Sequence, residues 1–210
     1  KGLTSRDLTD NVEQLQILRS LRLIRLKSVS ALKRLADWAV KTRELVLVAR
    51  THNVPAQLSS VGKRLSMFGE EIIFSLEQLD HFIEEYPLRG LQGAVGTKLD
   101  QSVLLNGDSE KLQQLSELIA LHLGASRIMN AVGQVYPRSL DMQTVQQLLG
   151  LSSGISSFAK TLRLMAGAGL ASAISTYVGV ANYLYLGRQY ARDDGFLARL
   201  PRLKTIKTLL

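Results

Sequence analysis

The chain has 210 residues, 46% of them hydrophobic, enough for one generous domain or two small ones with a real core. It has no cysteine, which excludes a disulfide framework and a thiolate metal site and fits a reducing compartment. The net charge is +8, but the basic residues are not interleaved with aromatic ones, which argues against nucleic acid as a partner, and 6% aromatic content disfavours an aromatic-rich sandwich or barrel. The three histidines, at 52, 81 and 122, are too scattered for a metal cluster. The chain opens on Lys1-Gly2-Leu3, with neither an initiating Met nor a signal-peptide pattern, and is expected to be a fragment or a processed product.

Thr4, Ser5 and Asp7 offer cap oxygens for a first helix, and Asp7 and Asp10 put negative charge near its N-terminus, where the helix dipole favours it. From Leu8 to about Val48 no proline or glycine intervenes. Apolar residues recur at Leu8, Val12, Leu15 and Leu18, and again at Val29, Leu32, Leu35 or Ala36, and Ala39. A helix of that length points to a bundle or to a helix shared between subunits. Arg50 to Pro55 reads as a break. A second helix follows, with Leu58, Val61, Leu65, Phe68, Ile72, Leu76, Leu79, Ile83 and Tyr86 stepping by threes and fours, a stripe of the bundle-packing kind that Pro87 ends.

Arg89 to Thr97 is a glycine-rich loop without the Gly-Lys-Ser/Thr ending of a phosphate loop, so its glycines are expected to serve tight backbone turns. Helical periodicity resumes at about Ser109 to Leu123, with Ser109 as the cap. Gly124 to Ser139 is a polar loop, and Leu140 to Met165 is helical again. His81, four residues after Glu77, reads as an exposed pair, and His122 sits favourably near a helix C-terminus. Leu164 to Gly187 carries no charge and is long enough to span a bilayer, but its Gly, Ala, Ser and Asn182 make a buried bundle helix the preferred reading, with a membrane thought unlikely. Beyond it, six basic residues from Arg188 to Lys207 face only Asp193 and Asp194, and that basic end reads as a solvated tail.

Several stretches together resemble the adenylosuccinate lyases of the fumarase/aspartase superfamily. They are Thr4-Ser5-Arg6-Asp7-Leu8-Thr9-Asp10-Asn11, Arg50-Thr51-His52-Asn53-Val54-Pro55-Ala56-Gln57 and Val61-Gly62-Lys63-Arg64. Pro87-Leu88-Arg89-Gly90 with Val95-Gly96-Thr97, Val132 to Ser139, and Thr161 to Gly167 follow in the family's order. The resemblance runs from about Thr4 to Gly167 and implies an all-α, long-helix, up-and-down bundle, truncated, in a homotetramer whose sites collect residues from three chains. Residues 1–167 would be the bundle domain, and 168–210 match nothing in the family.

The implied reaction is loss of fumarate from adenylosuccinate, or from the succinylated aminoimidazole carboxamide ribotide, in cytoplasmic purine synthesis, without a cofactor. The substrate is a small nucleotide. His52 matches the general acid, and imidazole suits that task because it gives up a proton near neutrality. Thr4, Ser5 and Thr51 match substrate-contacting hydroxyls, and Gln134 matches a substrate-contacting amide. The family's mobile loop, with its serine base and its lysine, has no counterpart after Gly167, so this chain alone is expected to be inactive. The rival readings are a non-catalytic helical interaction protein derived from the enzyme and a membrane-associated helical protein.

Overall fold

The computed structural model describes residues 2–167; the uncharged segment from residue 168 and the basic tail lie outside the described residues. Residues up to Ile155 belong to one compact unit. Those from Ser156 belong to a second, whose described part is the end of the last helix. The main elements are helices: α1 (Ser5–Lys41), α2 (Val61–Glu84), α3 (Leu99–Leu104), α4 (Ser109–Leu123) and α5 (Ser139–Gly167). None of the helices described is long and apolar enough to cross a membrane.

Between α1 and α2 the structure departs from the expected helix and break. α1 stops at Lys41, and Val46–Thr51 (β1) pairs antiparallel with Val54–Ser60 (β2). The local chemistry accounts for this. Val46 and Val48 are β-branched residues at alternate positions, and the hairpin closes through His52 and Asn53, both at positive φ (51° and 63°). A two-residue turn with two left-handed residues matches the natural twist of paired strands, and Asn and His enter that region more readily than most side chains. Leu58, counted at first in the helical stripe, lies on β2 and is exposed.

α1 and α2 pack antiparallel. Gln14 near the start of α1 reaches Pro87 beyond the end of α2, Arg25 pairs with Asp80, and Gly62 at the start of α2 lies against Ala39 and Arg43. A Cβ on Gly62 would sit 2.3 Å from the Ala39 carbonyl oxygen, so the helices close to this distance only because the residue is glycine. α5 then runs back along α2, with Ser75 donating to the Gly150 carbonyl and Ser153 to Glu71. The result is an up-down-up arrangement, as the sequence predicts.

The α2 stripe is the core, as its spacing predicts: Val61, Leu65, Phe68, Ile72, Leu76, Leu79 and Tyr86 are buried. Leu18, Leu21, Leu88, Tyr136, Leu140 and Leu151 complete the main cluster around its second half. On α1 the expected stripe holds in part: Leu18 is in the core and Leu15, Leu32 and Leu35 pack against it. Leu8, Val12 and Val29 are exposed, and the buried face carries Asp7, Asp10, Asn11, Gln14, Leu18, Leu21 and Ser28. The first half of that face is polar because what it meets is not a helix but the bare backbone of a loop. At α4 the cap is Asp108, one residue before the expected Ser109, its side chain accepting from the Lys111 N–H.

Leu79 has no exposed surface and lies among Leu76, Leu18 and Leu21 in the cluster. Leu79→Ala should lower the unfolding free energy by about 2–5 kcal/mol, through lost burial and the cavity left behind. Urea denaturation would show this as an earlier midpoint at unchanged slope.

Candidate functional site

The polar start of α1 organises one end of the molecule. Residues 7, 10, 11 and 14 lie on one helix face by their three- and four-residue spacing, and all four are buried. Each grips backbone from a distant segment. Asn11 accepts from the Gly90 N–H (2.9 Å) and donates to the Gly90 carbonyl (3.0 Å), while Gln14 accepts from the Arg89 N–H (2.8 Å) and donates to the Pro87 carbonyl (3.1 Å). Asp10 accepts from the Tyr136 N–H at 3.2 Å and pairs with Arg6. Loop polar groups that water cannot reach must find partners somewhere, and here α1 side chains supply them.

Asp7 is the most connected member. Its Oδ1 accepts from the backbone N–H groups of Gln92 (2.9 Å) and Gly93 (3.0 Å) and from the Arg89 guanidinium (2.5 Å). Its Oδ2 accepts from the N–H (2.9 Å) and hydroxyl (3.2 Å) of Thr4, the helix N-cap. Burial alone would push the Asp7 carboxyl up. The hydrogen bonds from Thr4, Arg89, Gln92 and Gly93 outweigh it and hold the group below the usual carboxylate range. Arg89 is itself fully buried, its other terminal nitrogen donating to the carbonyls of Gly93 (2.8 Å) and Gly133 (3.3 Å).

The sequence-derived site residues fall into two groups. Thr4 caps α1, Ser5 is its first residue, and Gln134 follows the Gly133 that Arg89 holds, so these three share one end of the molecule. His52 and Thr51 sit at the exposed tip of the hairpin, beyond the other end of α1. The 37 residues of α1 span about 55 Å, and a six-residue strand covers only about 20 Å of that. One copy of the chain therefore does not bring His52 to Thr4, Ser5 and Gln134. Nor do two surface grooves border any of these residues: one of about 400 Å³ near His81 and Gln143, and one of about 600 Å³ near Lys98 and Ser116.

Asp7, Asp10, Asn11, Gln14 and Arg89 are the residues whose role sequence reasoning missed. Asp7 and Asp10 were read for their charge at a helix start, whereas what matters is their shared face with Leu18 and Leu21. That spacing was a signal in plain view. Polar residues at core positions of an amphipathic helix mark a partner that is itself polar.

No family model matches the chain. It is 29% identical over 165 residues to adenylosuccinate lyase of Schizosaccharomyces pombe, and 30% identical over 165 residues to that of Saccharomyces cerevisiae, in each case covering 79% of this chain and 34% of the relative. The sequence match is to adenylosuccinate lyases. Adenylosuccinate lyase of Schistosoma mansoni is 30% identical over 78% of this chain. The crystal structure of a fumarate lyase from Mesorhizobium sp. BNC1 superposes with a TM-score of 0.63 at 21% identity, covering 79% of this chain and 37% of that one, which shows the shared fold. The chain thus spans about a third of the length of the adenylosuccinate lyases it matches.

Because the folded-state pKa of Asp7 is depressed, its contribution to stability is present above the unfolded value of about 3.9 and is lost as pH falls through the folded value. Asp7→Asn should cost about 3–5 kcal/mol at pH 7 by leaving Arg89 buried without its counter-charge. It should also flatten the acid limb of the stability curve below about pH 4. Urea titrations at several pH values on both proteins would measure the two effects.

Proposed function

We propose that the chain is the helical core of a lyase that expels fumarate from adenylosuccinate and from the succinylated aminoimidazole carboxamide ribotide, in cytoplasmic purine synthesis. The reading rests on about 30% identity to enzymes of that name across four-fifths of the chain, together with the resemblance carried by the Thr4-Ser5, Thr51-His52 and Gly133-Gln134 motifs. In the proposed step a base removes a proton from the succinyl carbon beside a carboxylate. The carbon–carbon double bond forms, the carbon–nitrogen bond breaks, and the electron pair leaves with the nitrogen. His52 delivers the proton that this nitrogen takes up. Ser5 and Thr51 donate hydroxyl hydrogens to the substrate's oxygens. The Thr4 oxygen, whose hydrogen goes to Asp7, contacts the substrate as an acceptor, and the Gln134 amide orients it. The step needs no cofactor.

The separation of His52 from Thr4 in one copy supports a site completed between copies. An antiparallel association of two α1–α2 pairs would set the hairpin of one copy beside the Thr4 end of another. The surface supports self-association as well, because Leu8, Val12, Leu26, Val29 and Val40 of α1 and Val46, Val54 and Leu58 of the hairpin are exposed. A homotetramer is the proposed assembly.

Two measurements test this. A chimera in which residues 4–167 replace the matching stretch of the Schizosaccharomyces pombe enzyme should consume adenylosuccinate, followed by absorbance, while the 210-residue chain alone stays at background. His52→Gln in the chimera should lower kcat by about 10²–10⁴-fold, the range for loss of a general acid; an unchanged kcat would remove the role assigned to His52. In sedimentation, the 23.2 kDa chain should run as a multimer, and lysines at Leu26 and Val29 should shift it toward monomer.

A further inference from the structure

We propose that the Asp7–Arg89 pair is a positioning device that fixes the Gln134 turn in register with the Thr4–Ser5 turn. The inference rests on the lyase reading for what those turns do, but not for how they are held.

A continuous path of hydrogen bonds joins the two turns. Thr4 donates to Asp7 through its N–H and its hydroxyl, Asp7 accepts from Arg89, and Arg89 donates to the carbonyl of Gly133, the residue before Gln134. On the far side of Gln134, Tyr136 is held three ways. Its N–H donates to Asp10, its hydroxyl donates to Asp141 (2.8 Å), and its ring lies 4.6 Å beneath the Arg138 guanidinium. Gln134 and Val135 are thus an exposed pair of residues pinned on both sides by carboxylates of the same helix face, Asp10 directly and Asp7 through Arg89.

Stability alone does not account for this arrangement. Buried ion pairs are poor stabilisers compared with well-packed apolar residues, but their hydrogen bonds are directional. Arginine is required rather than lysine, because only a planar fork can face Asp7 with one nitrogen and the carbonyls of Gly93 and Gly133 with the other. The approach of the two loops is tight as well. Gly96, at φ +86°, packs so closely on the second loop that a Cβ would lie 1.7 Å from the Val132 carbonyl oxygen.

The first test uses the 210-residue chain and hydrogen exchange. Arg89→Lys keeps the charge opposite Asp7 and loses the fork. The Tyr136 N–H should then exchange about tenfold faster or more, while amides in the core of α2 around Leu76 and Leu79 stay protected, since local opening can be separated from global unfolding. Gly96→Ala, which forces the loops apart without touching a buried charge, should give the same local change, and it decides the matter if the lysine variant does not fold. Tyr136 exchanging as in the parent in a folded variant would overturn the proposal.

The second test is a double-mutant cycle in the chimera. Arg89→Lys and Gln134→Ala should each lower kcat/KM by about tenfold or more, yet together cost clearly less than the product, because the arginine acts through the glutamine. Full additivity would mean a purely structural role and would overturn the proposal. An inactive unsubstituted chimera would count against the lyase reading, and hydrogen exchange would then decide the positioning claim by itself.

Discussion

The structure depends on how a buried carboxylate at the start of α1 is satisfied. Asp7 has essentially no solvent, and its two oxygens accept five hydrogen bonds: two from Thr4, one from Arg89, and one each from the backbone of Gln92 and Gly93. An ionised carboxylate is tolerated away from water only when it is paired and its lone pairs are used, and here both conditions hold. These contacts join the beginning of α1 to the loop after α2, and Arg89 reaches on to the Gly133 carbonyl in the turn before α5. The helix dipole adds to the arrangement, since Asp7 lies in the first turn, where the backbone N–H groups point outward.

From this point the division of labour along α1 becomes clear. Its first half binds loops through polar side chains, and its middle binds α2 through Leu18 and Leu21. The exposed pairing of Arg25 with Asp80 adds little energy at the surface, but it fits the antiparallel register that the core sets. Asp7, Asp10, Asn11 and Gln14 in the polar half should tolerate substitution poorly, because each satisfies a particular backbone group. The apolar half depends on volume and so admits a wider range of residues. An end that holds loops by directional bonds and a packing region that need only be filled are thus parts of one helix.

Under the proposed lyase function, the separation of the site residues calls for a site shared between copies. A long helix keeps its two ends apart, and no side-chain movement closes a gap of several helical turns. The proposed chemistry, with an acid at the hairpin and hydroxyls at Thr4, would take the two ends from different copies. In the proposed assembly, the exposed apolar residues Leu8, Val12, Leu26 and Val29 of α1 would supply the surfaces between copies.

The sequence by itself determined the four longer helices but not the six-residue α3, along with the buried stripe of α2 and the motifs with their order, because periodicity and local residue type are properties of a single segment. The hairpin was also written there, in the alternating valines and the His52–Asn53 turn, although the absence of proline and glycine as far as Val48 made a longer helix the simpler expectation. Only the tertiary structure decided which face the first turns of α1 bury. From Leu15 onward the apolar stripe does face the core, but the first turns bury Asp7, Asp10, Asn11 and Gln14 and leave Leu8 and Val12 outside, because loops from elsewhere in the chain bring backbone groups that need partners. The partner of a buried polar group is set by contacts across more than seventy residues, as Gln14 with Pro87 and Asp7 with Arg89 show, and no local pattern encodes them.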